Sequence, residues 1–128
     1  ISPANYAGRP GSSAASVDAW YVSLAAELAT TDSMMKYWNA VAALYSLKLV
    51  AYEGGVNAVD TTLTGLDAAI LADPRCGAAE TQLYQNFHAL SQADIAFNFT
   101  LVGNGTFGAI DDLNHLDTPR YRALADFR

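Results

Sequence analysis

The sequence predicts an α/β fold in which short buried strands alternate with helices and in which most residues are helical. The stretch 47–52 is short, apolar and rich in residues that favour strands, and Gly54 and Gly55 follow it closely. Apolar residues at helical spacing fill the segments before and after this stretch. A second strand-like stretch, 95–99, follows the later helices. Such alternation of strands and helices is typical of a parallel sheet.

The composition fits one segment, 1–128, that other polypeptide partly covers. The chain has 128 residues, of which 52% are hydrophobic, so it is long enough to bury a core but too short for several domains. Charged residues make up 16% of the chain, against roughly 25% in an average soluble domain. We therefore expect part of the surface to be buried in a larger protein or an assembly.

Charge and motif content exclude several classes of function. The formal charge of -6 and the pI near 4.5 argue against nucleic acid and anionic membranes as partners, since both attract clustered Lys and Arg. No run of apolar residues is long enough to insert into a membrane, and the lone Cys76 cannot form an internal disulfide. No nucleotide-binding or serine-hydrolase motif is present, and the sequence predicts no cofactor.

The first half of the chain predicts a loop, two helices and a strand. Residues 1–16 are rich in Pro, Gly, Ser and Ala and predict a loop, in which Asn5, Tyr6 and Arg9 have side chains suited to recognition. A helix is predicted over 16–29, and the cluster Thr30-Thr31-Asp32 is predicted to end it and to cap a second helix that reaches Tyr45. The strand 47–52 follows.

The second half predicts three helices and a strand. A helix over 60–72 is predicted to stop at Asp73-Pro74, because the residue before a proline resists helical dihedrals. A helix over 75–90 follows, then the strand 95–99, in which Phe97 and Phe99 share one face that is predicted to be core. Pro119 fits the first turn of a closing helix over 118–127.

Glu53 is the main candidate for chemistry. It is predicted to lie where the strand 47–52 stops, and α/β barrels present catalytic carboxylates at such strand ends. The alternative is a strand-end glutamate that accepts hydrogen bonds from neighbouring loop groups. Tyr52 is predicted to point to the opposite side of the strand and to pack.

The other candidates are polar groups in loops. Asn57 and Asn98 each offer a donor and an acceptor that suit sugar hydroxyls, although a structural role is the alternative for both. His115 lies near Asp111 and Asp112, but no second histidine stands at ligand spacing, so the sequence predicts no metal site.

Four blocks, in order, resemble the C-terminal part of a glycoside-hydrolase-like (β/α)8 (TIM) barrel family. In that family a strand ends in Tyr-Glu-Gly-Gly, a helix opens with Asp-Pro-Arg, a last strand is followed by a Gly-rich loop, and a Pro-Lys-Tyr-x-Ala-Leu segment closes the barrel. The corresponding blocks here are Tyr52-Glu53-Gly54-Gly55, Asp73-Pro74-Arg75, Phe97-Asn98-Phe99 with 103–108, and Pro119-Arg120-Tyr121-Arg122-Ala123-Leu124. The loop 1–8 is also similar to the exit of the sixth barrel strand.

The resemblance implies a partial barrel made of the last two to three strand–helix units. Glu53 matches the position of the nucleophile in retaining barrel glycosidases, whereas the fourth strand, which carries their acid/base, is not in this chain. Phe107 stands where the family often has a Trp that stacks on a sugar ring. The residues expected to bind a glycan are therefore Tyr6, Asn57, Asn98 and Phe107. The chain alone is then incomplete, and further polypeptide is expected to complete the barrel.

A second hypothesis is a non-enzymatic structural or adhesive component that retains the barrel-derived fold. Low charge content is compatible with permanent burial in such an assembly. An extracellular, virion or cell-surface location is favoured under either hypothesis. Asn98 and Asn104 both begin Asn-x-Thr patterns that would accept N-linked glycans in a secreted eukaryotic protein.

Overall fold

The computed structural model describes residues 1–7, 14–57, 66–103, 108–110 and 112–127, and it shows the predicted α/β fold. Helical residues outnumber strand residues, also as predicted. Along the chain the elements are β1 (Asn5–Ala7), α1 (Val17–Leu44), β2 (Leu49–Ala51), β3 (Gly54–Val56), α2 (Asp67–Ala72), α3 (Pro74–His88), β4 (Ala93–Ala96) and α4 (Pro119–Asp126).

All strand pairs among the described residues are parallel. β1 pairs with β3, and β2 pairs with β4. The segment 48–57 hydrogen-bonds in alternation to its two neighbours: the N–H of Val50 donates to the carbonyl of Ile1 at 2.9 Å, and that of Leu49 donates to Gln92 at 2.9 Å. Since successive residues of an extended chain direct their backbone groups to opposite sides, this segment lies between the other two.

The predicted strand 47–52 ends at Ala51, within one residue of its predicted end, but the glycine pair that follows belongs to a further strand. The chain is interrupted only at Tyr52 and Glu53 and then continues through β3. A Cβ at Gly54 would lie 2.6 Å from the carbonyl oxygen of Asn5, so the close approach of β1 requires a glycine there. The glycines thus let the strand continue beside its neighbour, and they do not end it.

The predicted break at residues 30–32 is also wrong, because α1 is one helix of 28 residues. The hydroxyl of Thr30 donates to the carbonyl of Ala26 at 3.0 Å, which keeps its side chain within the helix. The buried hydroxyl of Thr31 donates to the carbonyl of Tyr6 at 2.7 Å and so joins α1 to β1. A cluster that is typical of helix ends is here accommodated inside a helix.

The predicted boundary at Asp73-Pro74 is confirmed. The Asp73 side chain caps α3 by accepting a hydrogen bond from the N–H of Arg75 at 2.9 Å, and Pro74 occupies the first turn. The closing helix is confirmed as well, since Thr118 caps α4 by accepting from the N–H of Tyr121 at 3.1 Å. The predicted helix over 60–72 is described only from Asp67 onward, because 58–65 lie outside the described residues.

Helices cover one face of the sheet and leave apolar side chains exposed on the other. Two clusters of buried side chains join α1 and α3 to the strands, one around Ala7 and Val56 and the other around Leu49 and Ala51. Because side chains alternate along a strand, the residues between these face away from the helices. Three exposed apolar residues follow this pattern: Ile95, Phe97 and Phe99.

The prediction that Phe97 and Phe99 are core residues is therefore wrong within this chain. Their side chains are 54% and 50% exposed. Parallel sheets in proteins are usually covered on both faces, so a bare apolar face of this kind is unusual.

Candidate functional site

The candidate site is centred on Glu53, whose half-buried carboxylate lies at the interruption between β2 and β3. The phenols of Tyr6 and Tyr52 both lie beside this carboxylate. Burial, followed by the charge of Glu53, raises the pKa of Tyr6 to about 12. The charge of Glu53 is also the main cause of the raised pKa of Tyr52. Both phenols therefore keep their protons at neutral pH and can donate to the carboxylate.

The sequence predicted that Tyr52 packs on the side of the strand opposite to Glu53, and this prediction is wrong. The prediction assumed a continuous strand, whereas the backbone departs from strand geometry at these two residues. Side-chain alternation does not hold across this interruption, and the 55% exposed phenol of Tyr52 reaches the neighbouring carboxylate.

Aromatic rings border the carboxylate. The ring of Phe99 meets that of Tyr6 edge to face, with a centroid separation of 6.3 Å and an interplanar angle of 65°. Tyr6 is half-buried on β1, whereas Phe99 lies beyond the end of β4. The N–H of Phe99 donates to the carbonyl of Gly54 at 2.9 Å, which brings the backbone of Phe99 next to the glycine that follows Glu53. The site thus combines one carboxylate with exposed aromatic surface.

The structure places both candidate amides just beyond strand ends. Asn57 is buried, and its N–H donates to the carbonyl of Ala7 at 2.7 Å. The half-buried side chain of Asn98 is held at both ends, because Oδ1 accepts from the hydroxyl of Tyr84 at 3.3 Å and Nδ2 donates to the carbonyl of Thr100 at 2.7 Å. Asn104 and Phe107 lie outside the described residues.

A buried ion pair beside the site was not predicted from the sequence. Glu80 on α3 is 0% exposed and Arg120 on α4 is 2% exposed. Nε of Arg120 donates to Oε2 of Glu80 at 3.1 Å, and the N–H of Val56 donates to the same oxygen at 3.0 Å. Burial raises the pKa of Glu80, while the charge of Arg120 and the hydrogen bond from Val56 act in the opposite direction.

A signal for this pair was present in the sequence. Glu80 stands three and seven residues before Leu83 and Phe87, so it occupies a position on the apolar face predicted for α3. A carboxylate at such a position needs a buried partner. The sequence does not indicate which of the seven basic residues supplies it, because Arg120 lies 40 residues away.

Gly55 connects the buried pair to the Glu53 site. Its φ of 133° is strained for any residue with a side chain. A Cβ at this position would lie 2.8 Å from Oδ1 of Asn98 and 3.1 Å from Oε1 of Glu80. Glycine therefore leaves the space in which the side chains of Glu80 and Asn98 approach the central segment.

Other reactive groups lie apart from this arrangement or are inert. Burial raises the pKa of the Cys76 thiol to about 12, so the thiolate is scarce at neutral pH. Nδ1 of His115 lies 2.9 Å from the carboxylate of Asp112 in an exposed loop. Across the described ranges, no cluster of three or more His, Cys, Asp or Glu side chains is arranged to hold a metal ion.

No helix in the described part of the chain combines the length and apolar character needed to cross a membrane. Comparisons of the chain with protein-family models, curated proteins and solved structures give no match.

Proposed function

We propose that this chain is the C-terminal part of a carbohydrate-active (β/α)8 barrel resembling glycoside hydrolases, and that Glu53 is its nucleophile or a glycan-binding carboxylate. One observation carries the proposal. The Glu53 carboxylate lies beside the protonated phenols of Tyr6 and Tyr52, and the exposed ring of Phe99 meets the ring of Tyr6 edge to face.

This arrangement suits a sugar. Two neutral phenols lie next to the carboxylate and can donate to it, and its other lone pairs are available to a sugar hydroxyl or, in a hydrolase, to the anomeric carbon. An exposed aromatic ring offers an apolar surface to the C–H groups of a pyranose.

The bare face of the sheet supports the barrel. Closing a barrel removes sheet edges and buries the inward face, and the strands that the structure describes are too few to do so. Exposed Ile95 and Phe97 are suited to that interior. Hydrolysis with retention also needs a second carboxyl group about 5–5.5 Å from the nucleophile. We expect further polypeptide to supply the missing strands and that second group.

The test is glycan binding by the 128-residue chain. Tetrasaccharides of β-1,4-glucan, β-1,3-glucan, β-1,4-mannan, β-1,4-xylan and chitin form the panel, and affinity is measured by calorimetry. Glu53→Gln keeps the shape of the side chain but weakens its hydrogen bonds, so binding should fall about tenfold or more. Glu27→Gln on α1 is the matched control and should bind like wild type. No binding to any member, or equal binding by Glu53→Gln, would reject the proposed role of Glu53.

The second candidate function is a non-enzymatic structural or adhesive component, and the bare apolar face favours it. Surfaces of this kind often mark interfaces between proteins. Under this alternative the face around Phe97 mediates assembly, and Glu53→Gln changes neither assembly nor any glycan interaction. Loss of glycan binding in Glu53→Gln with assembly unchanged favours the first candidate.

A further inference from the structure

Two side chains of α3, Glu80 and Tyr84, stand one helical turn apart and reach the ends of two neighbouring strands. We propose that Glu80, Tyr84 and Arg120 are positioning residues of the glycan site, which hold the amides of Asn57 and Asn98 and the adjoining loop in their binding arrangement. This inference rests on the proposed function for its ligand. Whether these residues hold the two amides can be tested without a ligand.

Glu80 fixes the end of the central segment. On the side of β4, the last backbone hydrogen bond is the one from the N–H of Phe99 to the carbonyl of Gly54, at 2.9 Å. The next group on that side, the N–H of Val56, donates instead to the carboxylate of Glu80 at 3.0 Å. Glu80 thus takes the place of a strand neighbour. Val56 directly precedes Asn57, so the carboxylate also sets the direction in which Asn57 leaves the sheet.

Tyr84 fixes the second amide. Its hydroxyl donates to Oδ1 of Asn98 at 3.3 Å, and the carbonyl of Thr100 accepts from Nδ2 at 2.7 Å. These two bonds determine which end of the amide is oxygen and which is nitrogen, and they limit its rotation. Burial and the neighbouring Glu80 both raise the pKa of Tyr84, so its hydroxyl keeps the proton that it donates.

Arg120 extends the arrangement to the loop after β4. Its Nη1 donates to the carbonyl of Gly108 at 3.1 Å, while its Nε donates to Glu80. The described residues on the two sides of 104–107 are also joined, because the N–H of Gly103 donates to the carbonyl of Ile110 at 3.2 Å and the N–H of Ile110 donates to Leu101 at 3.0 Å. One buried guanidinium therefore joins the loop to the carboxylate that holds the central segment.

A buried oxygen in this network has no protein partner. Oε1 of Glu80 accepts no hydrogen bond from any residue that the structure describes. An unsatisfied buried carboxylate oxygen is costly, and purely structural networks tend to satisfy every group. The space next to this oxygen is kept open by Gly55 and is shared with Oδ1 of Asn98. The unsatisfied oxygen of Glu80 therefore lowers the stability of the fold next to the residues that the network positions.

Tyr84→Phe tests the inference, because it removes only the hydroxyl. In nitrogen-15 NMR spectra, the side-chain amide pair of Asn98 is assigned by its loss in Asn98→Asp. We expect Tyr84→Phe to shift this pair and to speed its hydrogen exchange at least tenfold. Affinity for the panel tetrasaccharide that wild type binds most tightly should fall about tenfold, the effect of losing one well-placed hydrogen bond. Tyr37→Phe, at an exposed position on α1, is the matched control and should change neither.

Glu80→Gln gives the second variant. It should speed hydrogen exchange at the backbone amides of Val56 and Gly103 while the fraction of folded protein stays above nine-tenths. An unchanged Asn98 signal in Tyr84→Phe, or binding that falls only in proportion to the folded fraction, would overturn the inference. Failure of wild type to bind any panel member would reject the proposed function, whereas the Asn98 signal would still decide whether these residues hold the amide.

Discussion

At the scale of single residues, the setting of Glu53 depends on two tyrosines from different parts of the chain. Tyr6 is brought to it by the parallel pairing of β1 with β3, and Tyr52 by the interruption of the central segment. Burial, followed by the charge of Glu53, raises the pKa of Tyr6, and the charge of Glu53 is the main cause of the raised pKa of Tyr52. The half-buried carboxylate thus has two protonated phenols beside it.

Alkaline pH should weaken the fold partly through Tyr6. An unfolded tyrosine ionises near pH 10, whereas the pKa of folded Tyr6 is about 12. The folded state therefore binds more protons between these values, and its stability must fall as pH rises through this range. In urea denaturation between pH 9 and 12, Tyr6→Phe should lose stability less steeply than wild type. Tyr45→Phe, at an exposed position, should keep the wild-type slope, and equal slopes for all three proteins would contradict the prediction.

Gly55→Ala should be strongly destabilising. The new Cβ would take an unfavourable φ of 133° and would lie 2.8–3.2 Å from three polar side-chain atoms. We expect a loss of roughly 2–4 kcal/mol in the free energy of unfolding, measured in urea. Gly103→Ala is the control, because its Cβ would meet its nearest atom at an ordinary 3.6 Å. A loss at Gly55 no larger than at Gly103 would show that the close contacts are not restrictive.

The central carboxylate could be predicted from the sequence, but only some of the residues around it could. Glu53 and Tyr6 were identifiable because a strand end and a recognition side chain are local features. The role of Tyr52 was not, since it depends on a backbone interruption that composition does not reveal. The partnership of Glu80 with Arg120 spans 40 residues, and only the packing of α4 on α3 creates it.

At the scale of elements, helix ends are set by local chemistry. Asp73 and Thr118 each accept a hydrogen bond from a backbone N–H in the first turn of the helix that follows. In both helices the first residue is a proline. These signals lie within four residues of sequence, which explains why both helix starts could be predicted. The length of α1 could not, because Thr31 is stabilised by β1, a contact from a distant part of the chain.

Removing the cap of α3 should cost a moderate amount of stability. Asp73→Ala leaves the N–H of Arg75 without its side-chain acceptor, and caps of this kind contribute about 1 kcal/mol. Asp73→Asn keeps a capping oxygen and should lose clearly less. Thermal unfolding followed by circular dichroism distinguishes the two variants. If both lose the same amount, the ion pair with Arg75 is more important than the cap.

At the scale of the whole molecule, the two faces of the sheet are in different environments. α1 and α3 bury one face, whereas apolar side chains such as Phe97 and Phe99 remain exposed on the other. A (β/α)8 barrel would bury this second face in its interior, and an assembly would bury it at an interface. Both proposed functions therefore require that the face be covered.

The isolated 128-residue chain should accordingly associate through this face. The double variant Phe97→Ser with Phe99→Ser removes two exposed rings and should reduce self-association in sedimentation equilibrium, because less apolar area is gained on contact. Tyr37→Ser removes an exposed ring on α1 and is the control, with wild-type behaviour expected. A wild-type chain that stays monomeric and unfolds cooperatively at all concentrations would contradict this account of the face.

Mapping a bound glycan by NMR tests the central claim most directly. The tightest-binding tetrasaccharide of the panel is titrated into the nitrogen-15-labelled chain, and the shifted amide signals are located in the structure. A site at Glu53 predicts that the largest shifts fall on Tyr6, Gly54, Gly55 and Phe99, and that Glu53→Gln abolishes them. Shifts that cluster on the outer face of α1, or that persist in Glu53→Gln, would contradict the account.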